Sequence, residues 1–248
     1  MELTQKISPS LYAYISQCPR RWYYDKQALP QLPVYIEKAD LGFVFHNIIR
    51  HYFTLISEEP SEDEIWQTAK KSFEAMFTLN TMKKQAKKLL KNFCEFEVNR
   101  LKTWSKYKPE LVEQKIEISP EEIFKIFNLE VPQPFVSIID FYGSNTVINW
   151  KTGILPYVDA HLQFQYIFEK TLLELAGKPV KKYFFVVLSS GTCVEPPYTS
   201  RGWMINEIKR ILNIIKTDNF YQNRTELCSL CPYQLRCDAE SDGLCLWM

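Results

Sequence analysis

The sequence predicts a mixed α/β fold: a sheet flanked by helices, a helical N-terminal part and a cysteine-bearing tail. Three observations predict it. Long helical runs occupy 40–56, 61–78 and 80–104, and in the last Met82, Ala86, Leu89, Phe93 and Phe96 recur at helical spacing. β-prone runs then crowd the stretch 111–151. After them come a helix, a strand and a helix, before the segment CSLCPYQLRC.

Each element has a local reason. SPSLYAYISQCPRRWYY opens a helix with Ser8 as N-cap and Pro9 at the first helical position. DLGFVFHNIIRHYFTLI is helical, with Asp40 in N-cap position. Strands are expected at 111–118, 122–130, 134–142 and 145–151, the last two joined as a hairpin by the turn GSN at 143–145. DAHLQFQYIFEKTLLELAG is an amphipathic helix stopped by Gly177. KKYFFVVLSS at 181–190 is strongly β-prone, and SRGWMINEIKRILNIIK at 200–216 is the last long helix. The expected organisation is one domain over 1–248. It has a mostly helical part to 110, a core over 111–220 and a cysteine-rich tail over 221–248.

Composition sets broad limits. The chain has 248 residues, 46% of them hydrophobic, enough to bury a substantial core. A net charge of +1 neither favours nor excludes nucleic acid, so any such surface must be a local patch. No secretory h-region and no apolar run near 18 residues is present, so neither a signal peptide nor a membrane span is expected, and the expected location is cytoplasmic. Seven cysteines in a chain this large point to metal ligation for any clustered subset, ahead of disulfides.

The tail carries that cluster. Cys228, Cys231 and Cys237 stand at C-x2-C-x5-C spacing. Two thiolates three residues apart can grip one metal centre, with a third from the following segment and a fourth from elsewhere, Cys18 or Cys245. Four thiolates suit zinc or an iron–sulfur cluster, and the spacing leaves both open. Cys94 and Cys193 lie in apolar contexts and read as core residues.

Several segments, in order, resemble the iron–sulfur-containing RecB-like nucleases of the PD-(D/E)XK superfamily. That group includes the CRISPR-associated spacer-acquisition exonucleases and the AddB nuclease domain. SPSLYAYISQCPRRWYY is similar to the group's N-terminal Cys-Pro motif, GFVFH to its G-x-x-x-H, and VEQKIEI places Glu113 at its first acidic strand position. IIDFYG supplies Asp140, NWKTG supplies Lys151, and QFQY supplies Gln163, similar to the helix glutamine although the downstream tyrosine spacing is off. The match spans residues 8–237. The resemblance implies a 4Fe-4S cluster on Cys18, Cys228, Cys231 and Cys237, tying together points 210 residues apart. It also implies a Mn²⁺- or Mg²⁺-dependent DNA exonuclease acting in CRISPR adaptation, hence antiviral defence, or in recombination, together with proteins of those systems.

The implied chemistry is phosphodiester hydrolysis. Asp140, His46, the residue at Asn149 and the backbone carbonyl of Trp150 are the expected ligands, with imidazole favouring Mn²⁺. Lys151 is expected to orient water and stabilise charge on phosphorus, with Gln163 beside it. Asn149 departs from the group's pattern, which asks for Asp or Glu. Its amide oxygen can ligate but brings no charge. Three explanations follow: a substituted, inactive form; a natural member that keeps binding without catalysis; or a site that tolerates the amide because Glu113 supplies the charge. The rival to an exonuclease is accordingly a non-catalytic DNA-binding or complex-forming protein on the same fold.

Two surfaces are candidates for DNA. Lys84, Lys87, Lys88 and Lys91 form a stripe at i, i+3, i+4 and i+7, either a phosphate track or an ordinary solvated face. Arg20 and Arg21 adjoin Trp22, Tyr23 and Tyr24, a mixture suited to stacking the bases of single strands or to shielding the cluster.

Overall fold

The computed structural model describes residues 3–31, 37–79, 81–153 and 158–241. They form two compact units, each assembled from separated stretches of chain. Cys245 lies outside the described residues.

The first unit comprises the chain up to Tyr35, Ser119–Phe135 and Ser200 onward. It begins with α1 (Pro9–Gln17), capped by Ser8, whose hydroxyl accepts from the N–H of Leu11. The expected single helix over 8–24 is broken at Cys18, which both ends α1 and caps α2 (Pro19–Lys26). The reason is Pro19: a residue before proline is held extended, and Cys18 sits at φ −160, ψ 102. The unit also holds α6 (Pro120–Phe127), α8 (Arg201–Lys216), a 3-10 turn at Glu226–Leu230 and α9 (Gln234–Ser241). Trp22, Tyr24, Ile208, Ile211 and Tyr233 are buried in it. Tyr12 Oη donates to Glu207 at 2.9 Å, and Arg210 Nη2 donates to Ser16 Oγ at 2.9 Å, pinning α1 to α8.

The strand expected at 122–130 is instead mostly α6. Ser119 and Glu122 make a reciprocal capping box, and Pro120 sets the first helical turn. Those local bonds outweigh the β-prone look of IFKIF.

The second unit, Ile36–Ile118 with Val136–Thr199, contains α3 (Glu37–Leu55), α4 (Glu62–Met76), α5 (Lys83–Thr103), α7 (Ala160–Leu175) and the sheet. The expected cap Asp40 lies inside α3. The sheet has five strands in the order β1 (Leu111–Ile118), β2 (Phe135–Gly143), β3 (Thr146–Lys151), β4 (Lys182–Val187), β5 (Thr192–Val194). β2 and β3 pair antiparallel through a two-residue turn at Ser144 and Asn145, both at positive φ, the primed type that matches strand twist. β3 and β4 are parallel, which requires a crossover, and α7 is that crossover.

Alternation along the strands sorts the two faces. Phe141, Ile148 and Trp150 join the core built by α3, α4 and α5. Asp140, Asn149 and Lys151 occupy the alternate positions. Within this core, Arg100 and Glu97 form a buried pair at 2.6 Å, with the guanidinium 4.1 Å from the Tyr107 ring centroid. Cys94 is buried there, as expected, whereas Cys193, expected in a core, is exposed on the short edge strand β5.

Candidate metal centre and cysteine cavity

Three elements bring three ligating side chains together in the second unit. His46 comes from α3, Glu113 from β1 and Asp140 from β2, and one ligand atom of each lies within 4.8 Å of the others. His46 Nδ1 is 2.6 Å from Glu113 Oε1 and 3.8 Å from Asp140 Oδ2. Glu113 reaches this point from a left-handed backbone, φ 47, an unfavourable conformation for a non-glycine residue in a strand. Among the described residues this is the only such close group.

β3 supplies the next pieces. The N–H of Trp150 donates to Asp140 Oδ2 at 2.9 Å, while its ring packs edge-on against Phe93 and Phe96 in the core. Asn149 lies one residue beyond the paired position Phe141↔Ile148, opposite Asp140. It is buried, and its Oδ1 has no hydrogen-bond partner among the described residues. A buried, unpaired acceptor is costly unless something outside the protein atoms satisfies it. An oxygen-preferring divalent ion fits that description, and so does the donor set of one imidazole and two carboxylates.

Lys151, one residue further, donates from Nζ to Gln165 Oε1 at 2.9 Å. Gln165 Nε2 in turn donates to Glu169 Oε1 at 2.8 Å. Glu169 is almost fully buried on α7 and also accepts from Ser137 Oγ at 3.1 Å and Tyr183 Oη at 2.7 Å. The expected glutamine, Gln163, turns its amide instead to the carbonyl of Val158 at 3.3 Å. The residue that meets Lys151 is therefore Gln165, two positions later. Gln163 and Gln165 are not on one helix face, and the motif spacing alone did not separate them. Glu169 had no signal beyond being an acid on a largely buried helix.

Charge in this pocket is strongly coupled. Burial pushes the Asp140 carboxyl up to about 6, the nearby Glu113 adds to the rise, and His46, Lys151 and the Trp150 N–H oppose it. Burial likewise pushes Glu169 up to about 7, with Asp140 adding to it. Burial lowers Lys151 against the pull of Asp140, Glu169 and Asp159. For His46, burial disfavours the cation, but the Glu113 bond and the charges of Asp140 and Glu113 outweigh it, so the imidazole is raised overall.

In the first unit, Cys18, Cys228, Cys231 and Cys237 all line one cavity of about 630 Å³, with Arg21, Tyr24 and Tyr233. No three of these thiols approach within 4.8 Å of one another. The Cys228 thiol accepts from the N–H of Thr225 at 3.4 Å, and Cys237 from Gln222 Nε2 at 2.9 Å.

The two DNA candidates fare differently. Lys84, Lys87, Lys88 and Lys91 are all exposed on α5, with Lys91 3.4 Å from Glu95. Arg20 is engaged: Nε donates to the Phe220 carbonyl at 3.1 Å and Nη1 to Glu240 at 3.0 Å. Arg21 lies over the Tyr14 ring, 5.0 Å from its centroid. Trp22 and Tyr24 are buried, and Tyr23 stacks on Phe220. Of this segment, Arg21 and Tyr24 line the cysteine cavity, while Arg20, Tyr23 and Tyr24 line a neighbouring pocket with Phe220 and Glu240.

Among the described residues no helix is long and apolar enough to cross a membrane. A search of curated proteins finds no match to the chain. The model of the PD-(D/E)XK nuclease superfamily, however, matches residues 6–238, a stretch that contains the triad, Lys151 and all four cavity cysteines. With a mixed helix-flanked sheet presenting Asp140 and Lys151 on neighbouring strands and a metal-capable triad beside them, the chain belongs to the PD-(D/E)XK nuclease superfamily, whose members are metal-dependent nucleases that bind nucleic acid.

Proposed function

We propose that this protein is a Mn²⁺- or Mg²⁺-dependent DNA exonuclease that prefers single strands or single-stranded ends, of the type used in CRISPR adaptation or recombination. The observation that carries the reading is the convergence of His46, Glu113 and Asp140 within 4.8 Å, beside Lys151. Those three residues would hold the ion, joined by Asn149 Oδ1 and the Trp150 carbonyl. A divalent ion bound there supplies positive charge to the scissile phosphate and acidity to an adjacent water. Lys151, held by Gln165, faces the same pocket and stabilises negative charge growing on the phosphate oxygens. Asp140 is fixed by the Trp150 N–H, so the strand bearing Lys151 and the carboxylate keep their mutual placement during the reaction.

The second cofactor in this reading is a 4Fe-4S cluster on Cys18, Cys228, Cys231 and Cys237. Its support is the shared cavity, which gathers the four thiols that the resemblance names. Its role is structural, closing the first unit across the chain.

Asn149 favours one alternative, a DNA-binding or complex-forming protein that no longer cuts. Digestion of labelled single-stranded DNA separates the two. The exonuclease reading expects Mn²⁺-dependent shortening, abolished by EDTA and by Asp140→Ala. Tight binding without shortening establishes the alternative.

A further inference from the structure

We propose that the exposed side of α3 bearing Phe43, Asn47 and Arg50 is a track that guides single-stranded DNA to His46. It rests on the function proposed above and names the residues that would recognise the strand.

The three positions stand at i, i+4 and i+7, one face of a helix. Phe43 is 72% exposed, a large apolar ring left in water one helical turn before His46. That turn is not loosely placed. A Cβ on Gly42 would come within 3.3 Å of Thr152 Oγ1, so the α3 backbone lies close against the residue following Lys151. The ring therefore stands one helical turn from His46 on a helix that passes close to Thr152.

Arg50 follows Phe43 by about 10.5 Å along the helix axis, at 1.5 Å per residue. It is exposed, and no carboxylate pairs with it among the described residues. Asn47 lies between them, half-buried, with amide donors and an acceptor. An aromatic face, an amide and a free guanidinium in one row match a base, a base edge or sugar, and a phosphate. A duplex hides its base faces in its own stack, so a lone ring on a helix can stack only on an unpaired base. A protein partner fits less well: Phe43 is a single apolar residue flanked by polar positions, not a contiguous apolar patch.

The test uses the whole chain in EDTA, so that binding is read without cutting. Phe43→Trp should show emission quenched by a short oligo-dT. Phe43→Ala and Phe43→Leu should each weaken oligo-dT binding by about 5- to 150-fold, the range set by 1–3 kcal/mol per stacked base, while blunt duplex binding changes less than twofold. Arg50→Gln should reduce the slope of log affinity against log salt by about 0.7, one single-strand phosphate contact. Binding without quenching, Phe43→Leu binding as well as the parent, equal losses for duplex, or no single-strand binding at all would each overturn the track. The two readings fail separately. Quenching in a protein that never cuts with Mn²⁺ keeps the track and removes the exonuclease. Cutting that is indifferent to Phe43→Ala removes the track alone.

Discussion

The N–H of Trp150 donates to Asp140 Oδ2 at 2.9 Å, so the strand carrying Asn149 and Lys151 is latched to the carboxylate on its neighbour. This latch places Asn149 opposite Asp140, with a buried oxygen that no donor among the described residues satisfies.

Asn149→Asp should therefore raise Mn²⁺-dependent cleavage by at least about a hundredfold, since one ligating charge at the reacting phosphate is worth roughly 3 kcal/mol of barrier. Initial rates on a labelled single strand check it. Asp140→Ala in that background should remove the gain. A parent protein already as fast as Asn149→Asp would show that the amide suffices.

Gln165→Leu should lower the cleavage rate at least about tenfold, because Lys151 Nζ loses its acceptor Gln165 Oε1 and with it a defined position. Gln163→Leu should leave the rate within about twofold, its amide reaching only Val158 O. Rates of the two variants at saturating DNA decide which glutamine serves the site.

The pocket also predicts a pH dependence of stability. Asp140 is raised from 3.8 to about 6 and Glu169 from 4.5 to about 7, in both cases first by burial. The folded protein thus holds these protons more tightly than the unfolded chain. The associated stability is full below about pH 4 and is lost as pH rises through about 6 and then about 7. In EDTA the melting temperature should fall between pH 5 and pH 8. Mn²⁺ needs ionised carboxylates, so it should raise the melting temperature more at pH 8 than at pH 5. A melting temperature in EDTA that climbs over that range would contradict the burial of these acids.

Anaerobically purified protein should be brown, with about four irons per chain and broad absorbance near roughly 400 nm that fades on reduction. Cys18→Ala should lose the colour and the iron, and should lower stability. Metal analysis finding one zinc and no iron would reassign the cavity.

Replacing Lys84, Lys87, Lys88 and Lys91 with Ala should weaken DNA binding and flatten its salt dependence if the α5 stripe follows phosphates. Equal affinity and slope would return it to a solvated face.

Much of the fold is legible in local sequence. The hairpin at Ser144–Asn145, the crossover helix α7 and the capped starts of α1, α7 and α8 all follow from residues within a few positions. α6 was legible too, through Ser119, Pro120 and Glu122, but the β-prone residues after them masked the capping box. His46 and Asp140 stand out by motif order. What local pattern does not show is which side chains meet across the sheet. Glu169 reaches Ser137 and Tyr183 only once β2 and β4 flank β3. Nor does it show that Arg20 meets Glu240, 220 residues later.

The way the two units divide the chain has a consequence for synthesis. The second unit is drawn from residues up to Thr199, whereas the first draws on both the opening helices and the chain from Ser200 onward. At about 5–20 residues per second, the last described residue leaves the ribosome roughly 2–8 seconds after Thr199. During that interval α1 and α2 have emerged without α8, and Cys18 without its three companions. The nuclease-type sheet can be complete while the opening helices still wait for their packing partners, so a stalled or truncated chain would carry a finished triad and an unclosed cysteine cavity.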